Sequence, residues 1–207
     1  MKEQKKFGVI SLGCDKNRVE SEKCIAVLQS AGYKLTNDVR EAQIVVINTC
    51  AFLQSAREES VETVIETAGY KSENLEKIVV TGCLPQKYAA EVFPALTEGD
   101  VFLGINDYDL LPSALETAYE TGERVNLVGK GADTFRFART LTTAPYLAYL
   151  KIADGCYNHC TYCLIPKIRG KYRSYPMEKL LEEAKELGEV KELVLVAQDT
   201  TRYGEDL

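Results

Sequence analysis

The sequence of 207 residues contains no apolar run long enough to cross a bilayer. Its longest apolar runs, such as LVLVA at 193–197, are far shorter than the ~20 residues that a membrane-spanning helix needs. The first residues, MKEQKKFGVIS, also lack the apolar region of a signal peptide, so we expect a cytoplasmic protein with no membrane partner. The composition, 45% hydrophobic and 27% charged, is that of a globular chain with enough apolar side chains for a core in one or two domains.

An excess of positive charge is also missing, because 25 Lys and Arg stand against 31 Asp and Glu and give a net charge of −6. Binding to the phosphates of a nucleic acid usually needs clustered Lys and Arg. We therefore do not expect this chain to bind a nucleic acid. A basic protein or peptide partner fits the sign of the charge better.

The even cysteine count of a disulfide framework is absent as well. The chain has seven cysteines and one histidine, His159. An odd number of cysteines in a cytoplasmic protein favours metal binding or catalysis over disulfides.

Three apolar segments near the N-terminus each end in a cysteine: FGVISLGC at Cys14, QIVVINTC at Cys50 and KIVVTGC at Cys83. Unbroken β-branched runs of this kind are typical of strands that are buried on both faces of a parallel sheet. Helical segments lie between them, and a further strand, DVFLGI, and a helix, YDLLPSALETAYETG, follow. The alternation predicts an α/β fold, with an open, doubly wound parallel sheet and flanking helices over residues 1–125.

The rest of the chain predicts a linker and the start of a second domain. Residues 126–145 hold two glycines and show little periodicity, which indicates a linker. Residues 146–207 give a strand, a cysteine loop, a helix near MEKLLEEAKELG and a strand, KELVLVAQ. Such a βαβ unit would leave its strand edges unpaired, so we expect the chain to be a fragment of a longer protein.

The three strand-end cysteines predict a shared metal site. Ligands collect at the carboxyl ends of strands in an open parallel sheet, where Cys14, Cys50 and Cys83 would meet. Free cysteines also pack as small hydrophobic residues in cores, so that reading stays open for each of them. For Cys24, which falls in the middle of a helix, we expect core packing.

A second trio, Cys156, Cys160 and Cys163, has the spacing C-x₃-C-x₂-C within one loop. Thiolates select zinc, copper(I) or iron–sulfur clusters. A structural zinc site needs four ligands, and His159 could be the fourth, so a zinc-stabilised binding module without catalysis is one alternative. Three thiolates can also hold a 4Fe–4S cluster through three irons and leave the fourth iron open to a small molecule.

The loop DGCYNHCTYCLIPKIRG, with Tyr162 just before its last cysteine, resembles that of the radical S-adenosylmethionine (radical SAM) enzymes. With the first trio it resembles the methylthiotransferases of that superfamily, over essentially all 207 residues. The resemblance implies two 4Fe–4S clusters, S-adenosylmethionine as cofactor, and a partial TIM-type barrel of which residues 146–207 are the truncated beginning. Cys14, Cys50 and Cys83 would hold a sulfur-donating cluster, and Cys156, Cys160 and Cys163 a radical-generating one.

The blocks SLGCDKNRVESE and VAQDTTRYG resemble the branch that modifies an aspartate of small-subunit ribosomal protein S-twelve. The radical would take hydrogen from the β-carbon of that aspartate, and a second S-adenosylmethionine would supply the methyl group. The alternative branch acts on an adenosine of transfer RNA and typically has a YGCQMN-like block. Glu20 stands where that family commonly has aspartate, a departure that we consider minor. The expected partners are the ribosomal protein and an electron donor such as a flavodoxin or ferredoxin, and we expect no turnover by these 207 residues alone.

Other candidate residues lie near the cysteines. Tyr162, Gln198 and Asp199 would contact S-adenosylmethionine, although ordinary capping of a strand end explains the last two equally well. Asn17 and Asn48 are candidate hydrogen-bond donors to cluster sulfurs. A basic run beside the loop could contact the methionine carboxylate or a substrate, but a solvated face is the more frequent role of such a run. Its members are Lys167, Arg169, Lys171 and Arg173.

Overall fold

A computed structural model describes residues 4–131 and 138–207 and places the N-terminal part around one six-stranded sheet. The strands are β1 (Lys6–Ser11), β2 (Lys34–Leu35), β3 (Ile44–Thr49), β4 (Lys77–Gly82), β5 (Val101–Phe102) and β6 (Val125–Asn126). Their order is β2-β1-β3-β4-β5-β6 and every neighbouring pair is parallel. The predicted open parallel sheet is confirmed, and the three strands that lead to cysteines are neighbours.

Helices cover both faces of this sheet. They are α1 (Asp15–Ser30), α2 (Gln54–Ala68), α3 (Cys83–Ala95) and α4 (Leu111–Thr121). On one face Val46 and Val79 pack with Leu28 of α1 and Leu115 of α4. On the other face Val45, Ile47 and Val80 belong to a core with Val64 of α2. Both faces of the strands are buried, which is why their sequences are apolar without alternation.

Cys24 lies in the core between α1 and the sheet, with none of its surface exposed. Its predicted packing role is therefore confirmed. Burial also raises the pKa of its thiol far above the ordinary value, so Cys24 stays protonated.

The C-terminal part contains the predicted βαβ unit. Its elements are β7 (Leu147–Lys151), β8 (Ala153–Asp154), α5 (Ile165–Arg169), β9 (Arg173–Ser174), α6 (Met177–Glu186) and β10 (Glu192–Val196). Strands β7 and β10 are parallel neighbours, and α6 packs against β7. The short strands β8 and β9 pair antiparallel and hold the two ends of the cysteine loop together.

The predicted linker begins at the last strand of the first sheet, since β6 ends at Asn126. Its residues 132–137 lie outside the described part of the chain. Beyond them, the linker lies on α1: Thr142 N–H and its hydroxyl both bond the carboxylate of Glu22, at 2.8 and 2.9 Å. The proposed domain limits of 1–125 and 146–207 remain predictions. In residues 4–131 and 138–207, no helix has the length and apolar character needed to span a membrane.

Candidate thiolate sites

The three strand-end cysteines line one cavity at the carboxyl edge of the sheet. Cys50 directly follows β3, Cys83 directly follows β4, and Cys14 ends the loop after β1. The cavity has a volume of about 560 Å³. Its other walls come from both parts of the chain, including Phe52 and Leu53 before α2 and Ile165, Ile168, Arg169 and Gln198 of the second part. The fold thus brings together the trio that the strand ends predicted.

Among the described residues, no group of three or more His, Cys, Asp or Glu side chains forms a site for a single metal ion. A cube of four irons is wider than one ion, and thiolates that bind three of its irons stand correspondingly farther apart. The common cavity and the donor set of three thiols therefore fit a cluster. The role of these cysteines as ligands remains a prediction.

The backbone at Gly82 sets the position of Cys83. Gly82 has φ +96°, and a Cβ there would lie 2.4 Å from Oδ1 of Asn48 and 2.5 Å from the carbonyl oxygen of Thr49. Only glycine has both the left-handed conformation and the space for this approach. Helix α3 then starts at Cys83 itself, so the chain turns directly from strand to helix at this cysteine.

A serine of α2 holds the peptide of Cys50. The Ser60 hydroxyl accepts a hydrogen bond from Cys50 N–H at 3.1 Å and lies 3.0 Å from the Cys50 carbonyl oxygen. Ser60 has no exposed surface. A side chain of α2, the helix that follows Cys50, therefore holds the backbone of Cys50 in position.

Arg169 contacts the first trio, and its buried position corrects one expectation. Its Nη2 lies 3.4 Å from Sγ of Cys83 and 3.0 Å from Oδ1 of Asn17. The interpretation of the basic run as a solvated face is wrong for this residue, because the guanidinium is almost completely enclosed. Burial raises the pKa of Cys83 to about 11, and the positive charge of Arg169 acts in the opposite direction.

Three buried charges surround this arginine, and together with it they form what we call the charge cluster: Glu20, Lys151, Asp154 and Arg169. Lys151 Nζ lies 2.8 Å from Glu20 Oε1 and 2.6 Å from Asp154 Oδ2. Arg169 also pairs with Glu20, and its Nη1 lies 3.5 Å from Asp154 Oδ2. Burial alone would raise the pKa of Asp154, but Lys151 and Arg169 lower it to about 2.

No sequence pattern indicates the charge cluster. Glu20 is its centre, and its departure from the common aspartate leaves the family resemblance intact. Its carboxylate spans from α1 to both Lys151 on β7 and Arg169 on α5, and its longer side chain extends that reach. The pKa of Glu20 is lowered because these two cations outweigh its burial.

The second trio lies in the loop between β8 and α5. Cys156 N–H donates to the carbonyl oxygen of Gly170 at 3.2 Å, which ties the start of the loop to its end. Two backbone N–H groups point at sulfurs: Asn158 N lies 3.4 Å from Cys156 Sγ, and Ile165 N lies 3.5 Å from Cys163 Sγ. Donors of this kind stabilise thiolates and cluster ligands. Cys160 is exposed at the tip of the loop.

The remaining candidates have different surroundings. Tyr162 is 85% exposed, and Gln198 lines the cavity of the first trio. Asp199 caps a short 3₁₀ turn by accepting from Thr201 N–H, and it also accepts from the Asn158 amide at 3.1 Å. These hydrogen bonds from Thr201 and Asn158 lower the pKa of Asp199. Asp199 thus links the short 3₁₀ turn to the cysteine loop through its hydrogen bond from Asn158.

The two asparagines use their amide groups within the protein. Asn17 Nδ2 donates to the carbonyl oxygens of Leu12 and Thr49, at 2.9 and 3.0 Å. Asn48 Nδ2 donates to the carbonyl oxygen of Asn17 and to the Ser21 hydroxyl, at 2.8 and 3.0 Å. In this arrangement they brace the loop after β1 instead of donating to cysteine sulfur.

Comparison with known protein families gives two matches along the chain. The model of the uncharacterized protein family UPF0004 matches residues 6–104, and that of the radical SAM superfamily matches residues 150–207. The chain joins a UPF0004 domain to a radical SAM domain. Each of the two domains contains one of the cysteine trios.

Curated relatives are similar to this chain over nearly its whole length. "Ribosomal protein uS12 methylthiotransferase RimO" of Clostridium tetani is 50% identical over 98% of this chain and 46% of the relative. The proteins of the same name from Lachnoclostridium phytofermentans and Clostridium acetobutylicum are 49% and 44% identical, over 98% of this chain and 47% and 46% of their own lengths. The resemblance to the methylthiotransferases is confirmed. The chain spans about half the length of the curated relatives that it matches.

Proposed function

We propose that this chain provides the two cluster-binding sites of an enzyme that adds a methylthio group to an aspartate of ribosomal protein uS12. The observation that carries the proposal is the cavity that Cys14, Cys50 and Cys83 share, because its facing wall belongs to the radical SAM domain. Sulfur held by the first trio would thus lie against the domain that generates the substrate radical. The proposed substrate follows from the names of the relatives.

Each trio would hold one 4Fe–4S cluster through three thiolates, which makes two clusters in the chain. When bound, the cluster at Cys156, Cys160 and Cys163 supplies the electron that cleaves S-adenosylmethionine to a 5′-deoxyadenosyl radical. Tyr162, Gln198 and Asp199 are the proposed contacts of that cofactor. An electron donor such as a flavodoxin or ferredoxin would act on this site, and its exposed loop tip offers the access.

The protein's own side chains line the first site and position the cysteines. Phe52, Leu53 and Ile165 give the cavity apolar walls, and Phe52 and Leu53 are also exposed at the surface. Ser60 and Gly82 fix the backbone at Cys50 and Cys83. The chain therefore contributes the orientation of the cysteines, while the radical chemistry belongs to the cofactors.

Iron and sulfide content after anaerobic reconstitution tests the number and place of the clusters. We expect about eight irons per chain for the wild type and about four for Cys50→Ala and for Cys156→Ala, as two four-iron clusters require. Cys24→Ala is the matched control and should keep the full iron content, since Cys24 lies in the core. A colourless protein that binds stoichiometric zinc would instead support the zinc-stabilised module and reject the proposal.

The substrate is tested separately with the whole protein, offered ribosomal protein uS12 or transfer RNA. We expect a mass increase of one methylthio group on an aspartate of uS12. Product on transfer RNA alone would reject the substrate and leave the cluster assignment in place.

A further inference from the structure

Arg169 connects the two cysteine sites through one side chain. It is the last residue of α5, the short helix that begins two residues after Cys163. Its guanidinium extends into the UPF0004 domain, where Nη2 lies 3.4 Å from Sγ of Cys83. A residue of the radical SAM domain thus donates to a ligand of the other domain's site.

Hydrogen bonds and ion pairs with several side chains hold the guanidinium of Arg169 in position. Asn17 Oδ1 accepts from Nη2 at 3.0 Å, and that amide is itself fixed by its bond to the Thr49 carbonyl oxygen. Glu20 and Asp154 pair with the same guanidinium, and Lys151 balances the second negative charge. With two anions and two cations the charge cluster is neutral as a whole, and the planar guanidinium has one defined orientation.

A fixed cation beside a ligand sulfur acts on the redox state of an iron–sulfur cluster. Reduction adds one negative charge to a cluster, so a positive charge and a hydrogen bond to its sulfur favour the reduced state. Cys83 is buried, and solvent screens this effect little there. The effect of Arg169 on the reduction potential of the cluster should therefore be large enough to measure.

We propose that Arg169 is a positioning residue that raises the reduction potential of the cluster held by Cys14, Cys50 and Cys83 by donating to Cys83. Arg169 belongs to α5, the helix that follows the second trio. The reduction potential of the cluster at the first trio therefore depends on the position of the radical SAM domain relative to the UPF0004 domain. The inference rests on the proposed function, since it requires a cluster at the first trio.

A redox titration followed by electron paramagnetic resonance tests it. The background is the chain with Cys156, Cys160 and Cys163 all changed to Ala, so that one cluster remains. In this background Arg169→Met should shift the reduced-to-oxidised ratio at a fixed potential at least tenfold toward the oxidised form, a midpoint about 59 mV lower. Arg169→Lys keeps the charge and should restore part of the shift.

Lys167→Met is the matched control. Lys167 is on the same helix and carries the same charge, but it is exposed. Its substitution should leave the midpoint unchanged. A lowering as large as that of Arg169→Met would show that general charge, rather than the contact with Cys83, sets the potential, and it would overturn the inference.

Arg169→Met leaves two buried carboxylates with one cation, which could prevent folding. The second comparison is therefore Glu20→Gln with Arg169→Met against Glu20→Gln alone, both of which remove a negative charge from the charge cluster. We expect the double variant to have the lower midpoint. Equal midpoints in folded, iron-containing proteins overturn the inference and leave the proposed function intact, whereas a wild type without iron and sulfide rejects the proposed function itself.

Discussion

At the scale of single residues, Gly82 is a position where the backbone leaves no room for a side chain. Alanine there would combine a φ of +96° with a Cβ 2.5 Å from the carbonyl oxygen of Thr49. We expect Gly82→Ala to lower the free energy of unfolding by about 3 kcal/mol, since strain at such a position costs about 1–3 kcal/mol before any clash is added. Urea denaturation of the metal-free protein measures this loss.

Gly32 supplies the control for that substitution. Its φ of +91° is nearly the same, but a Cβ there would meet nothing within 4 Å. Gly32→Ala should therefore cost only about 1 kcal/mol, the strain of the left-handed conformation alone. The iron content of reconstituted Gly82→Ala should also fall, because Cys83 is displaced, while Gly32→Ala keeps it. Equal losses in both variants would mean that the approach of Gly82 to Thr49 is not a constraint.

At the scale of secondary-structure elements, the backbone position of Cys50 depends on helix α2. The Ser60 hydroxyl accepts from the Cys50 N–H and is fully buried, so its removal leaves a backbone donor without that partner. We expect Ser60→Ala to destabilise the protein by about 1–2 kcal/mol. Thr63→Ala in the same helix removes an exposed hydroxyl bonded to the Glu59 carbonyl and should stay within about 0.5 kcal/mol of the wild type. Thermal unfolding of the two variants side by side separates these outcomes, and a loss for Thr63→Ala as large as that for Ser60→Ala would contradict the assignment.

The elements that could be predicted from the sequence are those long enough to show a pattern. Strands β3 and β4 have six residues each and are rich in β-branched side chains. Because a cysteine follows each strand, the sequence correctly predicts that Cys50 and Cys83 lie at the same edge of the sheet. Strands β2 and β6 have two residues each, which is too few for any periodicity, whereas the equally short β5 lies within the longer apolar run DVFLGI that indicates it. Helix α5, of five residues, was missed because it is also too short to show a periodicity.

At the scale of the whole molecule, buried charges join the two domains. Besides the charge cluster, Arg139 lies 3.5 Å from Glu22 on α1 and 3.1 Å from Glu183 on α6. The partners in these sets are far apart in the chain: Glu20 and Lys151 are separated by 131 residues. Sequence patterns report on neighbours within a helix or strand. They could therefore predict both cysteine trios, whose members share a loop or equivalent strand ends, but not an ion pair between domains.

The charge cluster gives the junction of the domains a dependence on pH. The pKa of Asp154 is about 2 in the folded protein, below the ordinary value of 3.8, and the pKa of Glu20 is also lowered. A carboxylate with a lowered folded pKa contributes stability above its unfolded pKa and loses it as the pH falls toward the folded value. For Asp154 that contribution is about 2 kcal/mol, and its loss belongs between about pH 5 and pH 2.

Asp154→Asn isolates this contribution because the amide keeps an oxygen for the Gly155 N–H, which Asp154 Oδ1 accepts at 3.0 Å, but has no charge for Lys151. At pH 7 the variant should be less stable than the wild type by at least about 2 kcal/mol. As the pH is lowered from 5 to 2, protonation removes the charge from the wild type as well, so the two free energies of unfolding should converge. Urea denaturation at a series of pH values measures both curves. A difference that stays constant down to pH 2 would show that Asp154 contributes by shape and hydrogen bonding alone, and that the ion pairs with Lys151 and Arg169 do not hold the domains together.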